Sequence, residues 1–219
     1  MVTIRQASSY VTMINYFQVA EKDQREFAQV EVEEIEKYGA EMDGALAASF
    51  HRSLTGNRVF NYAQWESKEA LQASQETEAF KQHLERMSHL DFTPDPKVYE
   101  IIELFSLEEN PKVQQENTIT PVLTMVFTRP DTQAKIIELF QKEFKDHIIS
   151  SQFTGLVSSH LLRSKDGERV ALYTQWNNES ITLTREVEEL SRTTLNQIKS
   201  LSEEFESLAY EVVGVYNPS

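Results

Sequence analysis

Between Arg52 and Trp65 the chain reads RSLTGNRVFNYAQW, and 111 residues later, between Arg163 and Trp176, it reads RSKDGERVALYTQW; eight of these fourteen positions are identical. The same offset carries Gly44 onto Gly155 and Tyr99-Glu100 onto Tyr210-Glu211. A repeat of this length means one domain-sized unit used twice, which restricts the chain to two copies of a single topology. Extended toward the amino terminus, the offset sets Asn15, His51 and Asn61 against Val126, Leu162 and Leu172. Three polar side chains become three aliphatic ones, so the first copy reads as the equipped one and the second as degenerate scaffold.

With 219 residues, each copy has about the size of an ordinary domain. Hydrophobic residues make up 40% of the chain, enough for a core in each copy. No apolar run approaches the roughly 20 residues that a membrane span needs, and the amino terminus lacks the pattern of a secretory signal. No membrane partner is expected, and the cytoplasm is the expected location. The absence of cysteine excludes disulfides and thiol catalysis. A net charge of −14 argues against nucleic acid, whose phosphates call for a basic face.

Pattern predicts the same elements twice. In the first copy, 10–19 reads as a strand, 21–39 as an amphipathic helix with Phe27, Val30, Ile35 and Tyr38 on its apolar side, and 45–53 and 58–65 as strands flanking the Thr55-Gly56-Asn57 turn. A helix capped by Ser67 runs to about Leu90, and Val98–Leu107 is the last strand. The second copy gives strand 121–128, a helix from Asp131, strands 156–164 and 168–176, helix 178–206 and strand 209–217. The polar interval 108–120 is the expected linker between domains 1–107 and 121–219. The order βαββαβ is that of a ferredoxin-like unit, with its first and third strands side by side. Strand 10–19 shows no solvated face, so its sheet must be covered on both sides. The expected fold is therefore α+β: two tandem ferredoxin-like units packed sheet to sheet, an intrachain pseudo-dimer forming an α+β barrel. Any further homo-oligomer is left open.

Val59, Asn61, Ala63 and Trp65 share one face of their strand, and Phe60, Tyr62 and Gln64 the other. Tyr62 and Gln64 recur as Tyr173 and Gln175 and read as structural; Asn61 does not recur. The run TGNRVFNYAQWESKEA resembles the antibiotic biosynthesis monooxygenase family, and among its members the cofactor-independent oxygenases that turn anthrones and naphthacenones into quinones. The resemblance implies catalytic roles for Asn61, which would hydrogen-bond a phenol or enolate oxygen, for Trp65, which would position substrate or oxygen, and for Asn15. It implies substrate contacts at His51, Leu71, Lys81 and His83. The pattern departs from the family at two positions: Leu71 stands where some members have Tyr, and Lys81 where an Arg is used. The activity that the resemblance implies is oxidation of a small, electron-rich polycyclic phenol by dioxygen as co-substrate, without cofactor or metal. Such a substrate reduces oxygen through its own carbanion, and the protein need only favour the ionised form and exclude water.

Two other readings remain. His83, on the apolar face of its helix with Phe80, Leu84 and Met87, resembles the helix His of haem-degrading relatives, which also combine a first-strand Asn with a third-strand Trp, but it fits their position only after a shift of about one residue. Alternatively the fold binds a small ligand and catalyses nothing. His89, His147 and His160 read as surface residues, and Glu31, Glu33, Glu34 and Glu36 as the solvated side of a helix rather than a metal site.

Overall fold

The computed structural model describes residues 2–5, 9–38, 42–106, 112–113, 118–149, 155–177 and 192–217. In chain order these form β1 (Val2–Thr3), β2 (Val11–Val19), α1 (Gln24–Tyr38), β3 (Ala45–Ser53), β4 (Arg58–Trp65), α2 (Lys68–Gln75), α3 (Glu78–Met87), β5 (Phe92–Thr93) and β6 (Pro96–Ser106). They continue as β7 (Lys112–Val113), β8 (Ile119–Phe127), α4 (Pro130–Ile149), β9 (Leu156–Ser164), β10 (Arg169–Asn177), α5 (Arg192–Leu201) and β11 (Glu204–Tyr216). The fold class is α+β and each copy has ferredoxin-like order. Among the described residues no helix is long and apolar enough to cross a membrane.

Two compact units emerge. One contains Met1–Tyr99, Lys112–Glu116 and Tyr210–Ser219; the other contains Glu100–Pro111 and Asn117–Ala209. These boundaries correct the expected cut at 108–120. The strands β6 and β11, of 11 and 13 residues, each begin in one unit and end in the other. Most of the expected linker lies outside the described residues; Lys112–Val113 pairs with β1, and β8 already begins at Ile119.

In the first unit β4 lies between β2 and β3, all antiparallel. The start of β6 extends the sheet beyond β2, and Tyr210–Tyr216 of β11 extends it beyond β3. In the second unit β10 lies between β8 and β9, and Glu204–Ala209 pairs with β8. First and third strands of each copy are thus neighbours, as the topology requires. The β3–β4 and β9–β10 turns each carry a glycine at positive φ, Gly56 (84°) and Gly167 (85°), a conformation that a side chain disfavours. Gln24 on α1 donates to Ser53 Oγ and to the Arg58 carbonyl, and Gln133 on α4 donates to the carbonyls of Ser164 and Arg169, so each helix start holds the hairpin behind it.

That pair of glutamines also corrects the repeat. From Gly44 onward the offset is 111, but Gln24 matches Gln133 and Asn15, paired with Asn61, matches Thr124, paired with Leu172. The offset there is 109, because the second copy has two more residues between Gln133 and Gly155 than the first has between Gln24 and Gly44. Asn15 therefore corresponds to Thr124 and not to Val126.

Two helices end where the pattern did not place them. The expected helix from Ser67 to Leu90 is two, since Thr77 starts a new one by accepting the Phe80 N–H on its side chain, as Ser67 does from Ala70. In the second copy 178–191 lies outside the described residues, and the helix stops at Leu201 because Glu204 onward is committed to pairing with β8.

The first unit's core includes Phe17, Val19, Phe27, Val30, Val59, Met87 and Leu90. Phe27 is fully buried, with its ring 4.8 Å from that of Phe17 and 5.0 Å from that of Phe92. Phe27→Ala should cost about 3–5 kcal/mol, read from denaturant unfolding; a loss below about 1 kcal/mol would mean that α1 is not seated on the sheet as described.

Candidate active site

The β2–β4 register sets Asn15 opposite Asn61 and Met13 opposite Ala63, and side-chain alternation turns these residues, with Phe17 and Trp65, to the face that α1, α2 and α3 cover. The helices do not close down on the sheet. They leave a cavity of about 450 Å³, within the range of small-molecule sites. Its walls are mostly apolar: Met13, Phe17, Phe50, Ala63, Leu71, Phe80 and Met87. The polar wall residues include Asn15, Asn61, Trp65, Glu31, Glu34 and His83.

The backbone N–H of Asn15 donates to Asn61 Oδ1 at 3.3 Å. That contact engages the Asn61 carbonyl and leaves its amide N–H groups as the donors for a ligand. Asn15 Oδ1 and Trp65 Nε1 are buried and make no hydrogen bond among the described residues. An unsatisfied buried polar group costs about 1–3 kcal/mol, so such atoms in one cavity need an explanation.

The second unit shows how the same frame looks without them. Trp176 donates its indole N–H to Thr174 Oγ1 at 2.8 Å, whereas the position matching Thr174 in the first unit is Ala63. Thr124, which matches Asn15, is hydrogen-bonded to Ser207, and Leu172 replaces Asn61. Leu172 and Trp176 pack with Val126, Ile136, Phe140 and Ile198 into a continuous apolar cluster.

Helices α1 and α3 supply the titratable wall. His83 Nε2 lies 3.1 Å from Glu31 Oε1, and Nδ1 lies 3.5 Å from Glu34 Oε2. The three residues are 7%, 6% and 6% exposed. Burial works against the imidazolium, but the hydrogen bond to Glu31 and the charges of Glu31 and Glu34 outweigh it and raise the His83 pKa. Burial also raises the Glu34 pKa, against the opposing charges of His83 and Arg86. Glu33, one residue away, faces outward and pairs with Arg86.

Of the sequence-predicted residues, Asn15, Asn61, Trp65, Leu71 and His83 meet in this cavity. His51 and Lys81 do not. His51 points to the opposite face of β3, where it is fully buried and stacked on Phe60 with ring centroids 4.1 Å apart; burial pushes its pKa down to about 3. Lys81 lies on the outer side of α3, exposed and 3.8 Å from Glu78. His160 is also corrected: it is fully buried, and burial lowers its pKa to about 3. His89 is exposed beside Glu26, and the side chain of His147 lies outside the described residues. The expectation that Glu31 and Glu34 face solvent is overturned. Their signal was present, because Phe27, Val30, Glu31 and Glu34 follow the i, i+3, i+4, i+7 spacing of one helical face. Gln64 is structural, donating to the Arg5 carbonyl and to Thr12 Oγ1.

Residues 10–86 match the model of the antibiotic biosynthesis monooxygenase family. Tetracenomycin-F1 monooxygenase of Streptomyces glaucescens is 40% identical over 68 residues, which are 31% of this chain and 61% of the relative's length. A crystal structure of an anthrone oxidase-like protein superposes with a TM-score of 0.80 at 17% identity, covering 97% of this chain and 95% of the other. A major regulator of staphylococcal pathogenesis superposes with a TM-score of 0.53 at 8% identity, covering 91% and 98%. These two likenesses are of fold alone.

Two measurements test the site as described. Ala63→Thr should restore the acceptor that Thr174 provides, moving the Trp65 indole N–H resonance and stabilising the protein by about 1 kcal/mol; an unmoved resonance would show that the indole is already partnered. The His83 pKa is raised above the ordinary 6.5, so its pairing stabilises the fold fully below that value and is lost as pH rises through the folded pKa. The stability gap between the protein and His83→Gln should therefore narrow from pH 6 toward alkaline pH in denaturant titrations. A gap that widens would exclude the charged pair.

Proposed function

We propose that the chain is a monooxygenase of the antibiotic-biosynthesis type, that it works without a cofactor, and that it oxidises an electron-rich polycyclic phenol of the anthrone kind to a quinone. The observation that carries this reading is the mostly apolar cavity of the first unit, into which Asn61 presents amide donors and Trp65 an unpartnered indole N–H. The family match of the same segment supports it.

The chemistry balances without an external reductant. A ring methylene loses a proton, and the resulting carbanion is delocalised onto a phenolic oxygen. Dioxygen takes electrons from that anion and a carbon–oxygen bond forms. The peroxide gains the proton back and loses water, leaving a carbonyl; one oxygen atom enters the product and the other leaves as water. The contribution of Asn61 and Trp65 is to donate hydrogen bonds where negative charge develops, as an oxyanion hole does. The apolar walls exclude water and hold the flat substrate against oxygen.

The haem reading fits the residues poorly. Both nitrogens of His83 face carboxylates, which favour the imidazolium, whereas iron is ligated by the neutral ring.

Oxygen uptake with a hydroxyanthrone probe in the presence of chelator tests the proposal. Asn61→Leu, the residue already accommodated at position 172, should lower turnover about 10²–10³-fold with the fold intact, since one such donor is worth about 2.7–4 kcal/mol. Unchanged turnover in that variant would remove Asn61 from the mechanism, and binding of the probe without oxygen uptake would favour a ligand-binding protein.

A further inference from the structure

Ionising the substrate needs a group that takes its proton, and neither Asn15, Asn61 nor Trp65 can. The cavity wall holds few alternatives. Glu78 is exposed at the start of α3 beside Lys81, and the Tyr216 phenol, its pKa raised by burial, is a weak candidate. The remaining group is the buried cluster on α1 and α3. Within it Glu31 is committed to a hydrogen bond with His83 Nε2, whereas Glu34 Oε2, buried in the cavity wall, makes no hydrogen bond among the described residues.

We propose that the Glu34 carboxylate is the base that takes the substrate's proton, with His83 as a positioning residue that holds it and Glu31 as the anchor of His83. The proposal rests on the oxygenase reading above. In the step, the C–H bond of the ring methylene breaks, a bond forms between Glu34 Oε2 and the proton, and the electron pair stays on the substrate as its anion. Glu34 gives the proton to the peroxide anion after oxygen has added, and it ends the cycle ionised. The charge thus moves from Glu34 to the substrate while the His83–Glu31 pair stays neutral, so the cavity as a whole gains no charge.

Three further observations agree with this arrangement. Burial makes Glu34 more basic than an exposed carboxylate, the direction a general base requires. The other charges bearing on Glu34 are Glu31 and Lys37 on α1 and His83 and Arg86 on α3; Arg86 Nη1 is 4.0 Å from Oε2, while its other nitrogen pairs with Glu33. In the second unit the residue matching Glu34 is Glu143, which accepts a hydrogen bond from Thr194, the residue matching His83; Phe140 takes the place of Glu31. The complete set is found only in the copy that has the amide pair.

The test uses the full chain, a hydroxyanthrone probe and chelator. Without oxygen, the absorbance of the bound probe reports its ionisation; with oxygen, uptake reports turnover across pH. The wild-type protein should ionise the bound probe at a lower pH than water does. In Glu34→Gln the ionisation midpoint should rise toward that of the free probe, and turnover at pH 7 should fall roughly 100-fold. That turnover should recover at alkaline pH, where the anion forms in solution, and Glu34→Asp should keep part of the neutral-pH rate. Wild-type turnover in Glu34→Gln overturns the assignment and leaves the oxygenase reading intact, as does a loss that alkaline pH fails to restore. If Glu34→Gln does not fold, the wild-type protein still decides, because an unshifted midpoint for its bound probe overturns the proposal. A wild-type chain that consumes no oxygen with the probe at any pH overturns both readings.

Discussion

Everything in the candidate site depends on the pairing of β2 with β4. That register sets Asn15 beside Asn61 and turns Met13, Phe17, Ala63 and Trp65 toward the helices with them. A shift of one residue would send the whole set to the other face and bring Ile14, Tyr16, Phe60 and Tyr62 in its place. The register is held by the burial of both faces, since each alternate set includes residues almost fully shielded from water. Gln24 reinforces it from α1 by holding the β3–β4 turn.

On that frame the first unit keeps a group of polar atoms that a protein core would normally avoid. Asn15 Oδ1, Trp65 Nε1, Glu34 Oε2 and His83 Nδ1 are all buried without a hydrogen bond among the described residues, and all belong to residues of one cavity wall. Four of the corresponding positions in the second unit are ordinary: Thr124 and Trp176 find hydroxyl partners, and Leu172 and Phe140 join the apolar cluster. The same topology is therefore stable with those positions satisfied. What the first unit gives up in stability is available to a ligand that can complete the missing hydrogen bonds.

The cavity itself is the result of a small set of side chains. Ala45, Ala47, Ala48 and Ala63 line it from β3 and β4, where larger residues would fill the space beneath the helices. The break at Glu76–Thr77 splits the covering helix in two, so α2 brings Leu71 to the cavity while α3 brings Phe80 and His83. A single straight helix would point its residues along one line and could not wrap the same wall.

Read alone, the sequence determined the repeat, the βαββαβ order, the central strands and the face that Asn61 shares with Trp65. All of these are local: they depend on period, on turn residues and on alternation, which neighbouring positions settle among themselves. It also showed that the first copy carries polar residues the second lacks. Only the tertiary structure decided which of the remaining polar residues join them. His51 is one strand away from Asn61 yet points to the opposite face, and Lys81 is two residues from His83 yet lies on the outer side of the same helix. Glu31 and Glu34 looked like a solvated helix face until α3 packed against α1 and brought His83 between them. The offset of 109 rather than 111 in the amino-terminal part likewise required the register of β2 on β4. Which side chain meets which across two elements is fixed by packing between residues about 50 apart in the chain, and no local pattern carries that information.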